Sequence, residues 1–384
     1  MSRADYLQQT AFGELLVGGL KPQAAWRFDY GVNTRIVEVT TANGGTVTTD
    51  ANRAKLSTSA AVNGSARIET IKHLRYFPGI GGLLRMTSVF ATPKANSKQL
   101  FGLGDGTDGL FYGYINTDFV VGRIRGGVYV PVLQASWNGN YSAFNTANGN
   151  VYQIRYQWLG YGYLRYYMLN FEDETAGYMR LHTIKYPNTS PDVHILNPTL
   201  PLFVEVANTG NATDMVIYTP SAAAFSEGDT GEQSNPLDVF NSFDAVATFG
   251  NTSNNHLLTI RNKALLGAIT NRVPIQVNSI TISRGTGENL AILRMYRNAT
   301  TTGALTYVDV DTNNSPVDTS ISTTTVTSTN AERSYSMTGG GSQVIDFKPG
   351  ELVIQPGSSI GFGEQNSSAA PTQVVITVNW SELF

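Results

Sequence analysis

The chain has 384 residues, 14% of them charged, a formal net charge of −3 and no cysteine. That length suits two domains of ordinary size. The lack of cysteine excludes disulfides, thiolate metal sites and a cysteine nucleophile, and the small net charge excludes a global field that would recruit nucleic acid or an anionic membrane.

The chain starts Met1-Ser2-Arg3-Ala4-Asp5-Tyr6, without the basic start and apolar core of a signal peptide. Ala4, Leu7, Ala11 and Leu15 share a loose helical spacing. This predicts an N-terminal arm over 1–26, either a short helix on its own domain or a segment docked on a neighbour. From Arg27 onward, short apolar runs alternate with Gly, Pro, Asn, Asp and Ser, the punctuation of strands and tight turns. Leu83 to Phe90, Gln99 to Leu103 and Gly109 to Tyr114 are predicted strands, the last two flanking the turn Asp105-Gly106-Thr107-Asp108. In Val151 to Leu159, Tyr152, Ile154, Tyr156 and Trp158 fall on one face and Val151, Gln153, Arg155 and Gln157 on the other. Gly162 to Phe171, Met179 to Tyr186 and Leu200 to Val206 follow. No run of about 18 apolar residues predicts a membrane-spanning helix.

Ser226 to Asn241 is polar and turn-rich, and a domain boundary is expected between Phe249 and Leu257. Strand patterns then resume over Leu257–Ile260, Ile275–Ser283, Ala291–Arg297, Thr306–Asp311, Ile345–Phe347, Leu352–Ile354, Ile360–Phe362 and Val374–Trp380. Eight strands in a stretch of this length are the size of one jelly roll. Thr319 to Asn330, dense in Ser and Thr, reads either as a mobile loop or as an exposed edge strand. The fold class predicted is all-β: a sandwich over 27–250 and a jelly roll over 257–384.

Chemistry is sparse. The four histidines, His73, His182, His194 and His256, form no H-x-x-x-H pair and read as polar surface or half-buried residues. Asp192-Val193-His194 is the closest acid–histidine pair and makes no site alone. Gly357-Ser358-Ser359-Ile360-Gly361 matches a nucleophile elbow in letters only, because a strand follows the serine and no histidine lies beyond His256. Gly102 to Gly106 sits between strands, so it lacks the helix N-terminus of a phosphate cradle. Glu172, Asp173 and Glu174 lie in a turn, and Asp309 and Asp311 adjoin one, so neither set gives a convincing acid pair for glycosidic chemistry. Asp105, Asp108 and Asp118 lack the alternation of a calcium loop. No catalytic residue, metal site or cofactor is expected, and no enzyme. Asn-x-Ser/Thr triplets such as Asn211-Ala212-Thr213 read as chance in an Asn/Thr-rich chain.

The candidate ligand or interface residues are aromatic. Tyr161, Tyr163 and Tyr167 would share a ribbon face with Arg165 among them. Such a face can stack a sugar or a base, or pack against a partner sheet or a neighbouring chain. Trp380, in the closing Val378-Asn379-Trp380-Ser381-Glu382-Leu383-Phe384, is expected to be tied down against its own sheet or a neighbouring subunit.

Several phrases carry a resemblance. Thr10 to Glu38 (TAFGELLVGGLKPQAAWRFDYGVNTRIVE), Ser65 to Phe90, Gly102 to Tyr114, Tyr152 to Met168 and Leu196 to Asn211 resemble virion-associated proteins of tailed bacteriophages and some large DNA viruses. Asn271 to Gly287 and the closing Val378 to Phe384 are similar to the C-terminal β domain often attached to them. The resemblance implies a lectin-like, concanavalin-type sandwich followed by a smaller jelly roll, in a capsid decoration, head-fibre or tail-fibre protein located in the virion. It implies partners among other virion proteins and a homo-oligomer, a trimer being favoured for the jelly roll, with no nucleic acid and no membrane. The alternative is a receptor-binding protein that recognises a host surface glycan.

Overall fold

The computed structural model describes residues 19–173, 176–228, 238–286 and 290–384. Among them the regular elements are strands, apart from one 3-10 turn at Gln134–Ser136. The chain is all-β and divides into two compact units, Met1–Thr230 and Gly231–Phe384.

The first unit is a sandwich of two antiparallel sheets, the lectin-like layout expected. One sheet runs Tyr178–Ile184, Leu164–Leu169, Asn150–Tyr156 and Gly81–Phe90, then forks. One branch adds Ser221–Glu227 and Leu20–Arg27; the other adds Val216–Thr219, Arg53–Ser57 and Thr46–Asp50. The second sheet runs Val128–Leu133, Asp118–Arg125, Gly109–Ile115, Ser97–Gly104, Leu200–Asn208, Ser65–Leu74 and Val37–Ala42. Alternation explains the core: Tyr152, Ile154 and Tyr156 point between the sheets with Leu164, Tyr166 and Met168 from the next strand. The buried tyrosines also tie the layers together. Tyr166 donates to Gly122 O at 2.7 Å, and Tyr112 donates to Gln153 O at 3.0 Å and Tyr167 O at 2.9 Å. The Tyr166 and Tyr112 hydroxyls thus meet backbone acceptors on the facing sheet, and Tyr156 donates to Pro198 O at 3.0 Å.

The second unit is a jelly roll by strand order. Its eight main strands, in chain order, are Asp238–Phe249, Asn255–Asn262, Ile275–Arg284, Ala291–Arg297, Arg333–Met337, Ser342–Asp346, Ser359–Asn366 and Thr372–Leu383. The first, eighth, third and sixth form one sheet; the second, seventh, fourth and fifth form the other. This interleaving is that of two Greek keys wound together. Val353–Ile354 adds to the first sheet, and Val317–Ser320 and Val308–Asp309 extend the second.

Four expectations are corrected. The boundary does not lie at 250–257, because Asp238–Phe249 pairs along its whole length with Thr372–Leu383 and is the first jelly-roll strand. The arm expected over 1–26 lies outside the described residues up to 18, and Leu20–Arg27 is a sandwich strand paired with Ser221–Glu227. Only His73 is half-buried; His182 and His256 are buried on strands packed inside their units, and His194 is buried in a loop, its ring bonded to Gln157 O and against Tyr186. Between Thr319 and Asn330 only the start is strand. The rest is fastened to Thr300–Gly303 by hydroxyls, with Thr302 Oγ1 3.0 Å from Thr324 Oγ1 and Thr300 Oγ1 3.1 Å from Ser328 Oγ.

Candidate binding site

The outward face of the first sheet is read most simply as cross-strand rows. One row is Arg180, Tyr167, Gln153, Arg85 and Ala223; the next is Thr183, Arg165, Arg155, Leu83 and Phe225. Arg155 and Arg165 stand directly opposite each other, an arrangement that like charges disfavour. The buried carboxylate of Glu227 relieves it, pairing with Arg155 Nε at 2.6 Å. Arg85 donates to Gln153 Oε1 at 3.1 Å.

At the Tyr178–Ile184 edge these rows end in a cleft of about 320 Å³ lined by Asn138, Tyr163, Arg165, Arg180, Thr183 and Lys185. A β-bulge builds it. Thr183 and Arg180 are three residues apart and would face opposite sides of a regular strand. The register shift between Tyr166 and Tyr167 leaves Leu181 unopposed, so Thr183 faces Arg165 and Arg180 faces Tyr167 on one side. Leu181 drops into the core. Lys185, two residues beyond Thr183, continues that face. The Arg165 guanidinium lies 5.1 Å from the Tyr163 ring centroid, a cation–π contact at the cleft wall.

The opposite wall comes from the loop after Gln134–Ser136. Asn138 behaves as an added strand residue: its Nδ2 donates to Thr183 O at 2.9 Å, and its Oδ1 accepts from Thr183 N at 2.9 Å. Its own N–H donates to His182 Nδ1 at 3.2 Å. Burial lowers the His182 pKa, which keeps that nitrogen neutral and able to accept. Close approach requires Gly139, whose N–H donates to Leu181 O at 3.0 Å. A Cβ at Gly139 would overlap the Arg180 carbonyl oxygen. Thr183 is 7% exposed, and its Oγ1 has no hydrogen-bond partner among the described residues.

Of the residues singled out from sequence, Tyr163 and Arg165 line this cleft and Tyr167 stands in the adjoining row. Tyr161 does not join them. It lies in the turn before the strand, 42% exposed, and donates to Pro191 O at 2.8 Å. Trp380 belongs elsewhere: it is fully buried in the jelly-roll core, with Nε1 3.2 Å from Glu382 Oε1, so its own sheet holds it. Asn138, Arg180, Thr183 and Lys185 were not legible in the sequence, since a bulge and a loop contact bring them in.

The other suspected chemistry disperses. Asp105 caps its hairpin turn, accepting from Thr107 N at 2.9 Å and Asp108 N at 2.8 Å, while Asp118 opens the strand that follows the next turn. Among the described residues no three His, Asp or Glu side chains gather as a metal site. Glu172 accepts from Ser142 Oγ at 2.5 Å, Glu174 lies outside the described residues, and Asp309 pairs with Lys263 at 2.7 Å.

No protein-family model matches the chain. No curated protein matches it either. Solved structures do. A Shewanella oneidensis protein of unknown function is 12% identical, covering 60% of this chain and 96% of its own, with a TM-score of 0.38. A Bacillus licheniformis β-glucanase is 13% identical, covering 54% and 98%, with a TM-score of 0.35. Peanut lectin is 11% identical, covering 53% and 97%, also at 0.35. At such scores these likenesses bear on neither chemistry nor ligand.

Proposed function

We propose that this chain is a non-catalytic binding and assembly protein, a structural component of a virion. The observation that supports the non-catalytic part is the make-up of the two cross-strand rows beside the cleft. Glycosidic hydrolysis needs two carboxylates about 5–10 Å apart around the scissile bond. Between them the two rows hold arginines, tyrosine, glutamine, threonine and apolar residues, and no acid. The nearby Glu227 is buried in its pair with Arg155. The virion part rests on the resemblance of Thr10–Glu38 and the later phrases.

Assembly is proposed as a homo-oligomer, a trimer. The strand Asp238–Phe249 is the outer strand of its sheet and exposes Val239, Phe240 and Val246. Covering such a strand removes apolar area from water and satisfies an open edge.

Purified chain incubated with capsular polysaccharide and lipopolysaccharide should release no reducing ends. Release that one carboxylate substitution abolishes would overturn the non-catalytic reading. Density for both sandwiches at a regular site on purified particles is the expected result for the virion reading, and absence of the chain from particles would sink it. A second reading, recognition of a surface glycan, is favoured by the cleft itself.

A further inference from the structure

We infer that the cleft beside Thr183 is a binding site for a carboxylate-bearing sugar. This inference stands apart from the virion reading, since it would hold for a free lectin as well as for a particle protein.

Three features converge. First, Arg165, Arg180 and Lys185 bring three cationic side chains to one wall system, and no acid lines it among the described residues. Arginine's planar fork matches a carboxylate in two parallel hydrogen bonds, and lysine adds a point charge. Second, Thr183 Oγ1 is buried at the cleft without a partner among the described residues. A desolvated hydroxyl left unmatched is destabilising. The adjacent Thr183 amide and carbonyl are already taken by Asn138, so this hydroxyl stays available to donate to or accept from a ligand oxygen. Third, the volume of about 320 Å³ lies at the small end of ligand sites, and Tyr163 gives it an apolar wall for a sugar ring. Cations alone would suit any small anion. A hydroxyl partner and an aromatic wall beside them suit an anion carried on a polyhydroxylated ring.

The test titrates the full chain with oligogalacturonate, with its fully methyl-esterified form, and with inorganic phosphate. Oligogalacturonate should bind at least tenfold tighter than either comparator, and its binding should weaken as salt is raised. Arg180→Met and Lys185→Met should each weaken it about tenfold. Thr183→Val should also weaken it while leaving the unfolding midpoint unchanged or raised, because the change removes an unmatched hydroxyl and keeps the shape. Equal binding of the esterified form, phosphate binding as tight as the uronate, no binding of any probe, or indifference to these substitutions would each overturn the inference. The Thr183→Val midpoint separates a lost contact from a lost fold.

Discussion

Single buried groups set how this protein answers to pH. Burial pushes His194 down to about 4, against the hydrogen bond it donates to Gln157 O at 3.0 Å. Burial likewise pushes His73 down to about 4, with Asp105 pulling the other way. A depressed histidine favours the neutral folded form, so its contribution is complete above the unfolded value near 6.5 and is lost as pH falls through 4. For His194 the shift corresponds to about 3 kcal/mol. Urea unfolding of the first unit should therefore weaken between pH 6.5 and 4. His194→Gln, which can still donate to Gln157 O, should flatten that slope; an unchanged slope would show that the ring is not held neutral. In the jelly roll, burial raises Glu364 to about 7 although Arg284 Nε lies 3.3 Å away and favours the charged form. Here the sign is reversed: the contribution is complete below 4.5 and is lost as pH rises through 7. Glu364→Gln should gain stability relative to the parent as pH rises from 5 to 8. No change in that difference across the range would refute it. Tyr112→Phe removes a hydroxyl shared by two carbonyls and should destabilise by about 1–2 kcal/mol in the same urea measurement.

At the scale of elements, the cleft depends on a loop held close to a bulged strand. Gly139→Ala should push Asn138 away from Thr183, lower stability by roughly 1–3 kcal/mol and deprotect the Thr183 amide in hydrogen exchange. Retained protection would show that the loop tolerates a side chain. The same elements show what a sequence can and cannot reveal. The strand at Val151 and the ribbon after Gly162 were legible because period-2 alternation with aromatic residues has no other reading. That alternation also puts Tyr163, Arg165 and Tyr167 on one face. Arg180 and Thr183 were not legible, because their spacing assigns them to opposite faces until a bulge is inserted. Tyr161 was misassigned because it lies in a turn and the strand begins only at Leu164, two residues later than the ribbon expected from Gly162. Asp238–Phe249 was missed for another reason. It follows a polar stretch and exposes Phe240 at 62%, so its pattern resembles a linker until Thr372–Leu383 is set beside it.

Over the whole molecule, each unit carries its own apolar core, one built around Tyr112, Tyr152 and Tyr166, the other around Phe362 and Trp380. Two calorimetric transitions are expected. Tyr112→Phe should move one of them and Phe362→Ala the other, the latter by about 3–5 kcal/mol for a large buried ring. A single transition moved by both changes would argue for one cooperative unit. Light scattering should report a mass of three chains. Phe240→Lys on the exposed edge should shift it toward one chain without changing the melting of the first unit. A parent chain that is already monomeric at micromolar concentration would sink the trimer.

The pairing of Asp238–Phe249 with Thr372–Leu383 also has a temporal meaning. Among the described residues, the strand that starts the jelly roll pairs within its sheet only with the strand that finishes it, and that last strand separates it from Ile275–Arg284. On a ribosome, the opening strand emerges more than a hundred residues before its neighbour and must wait unpaired. The second unit therefore closes only after synthesis passes Leu383, whereas the first has every strand it needs by Glu227. Stalling translation just short of Thr372 should leave a nascent chain whose first unit resists protease and whose remainder does not.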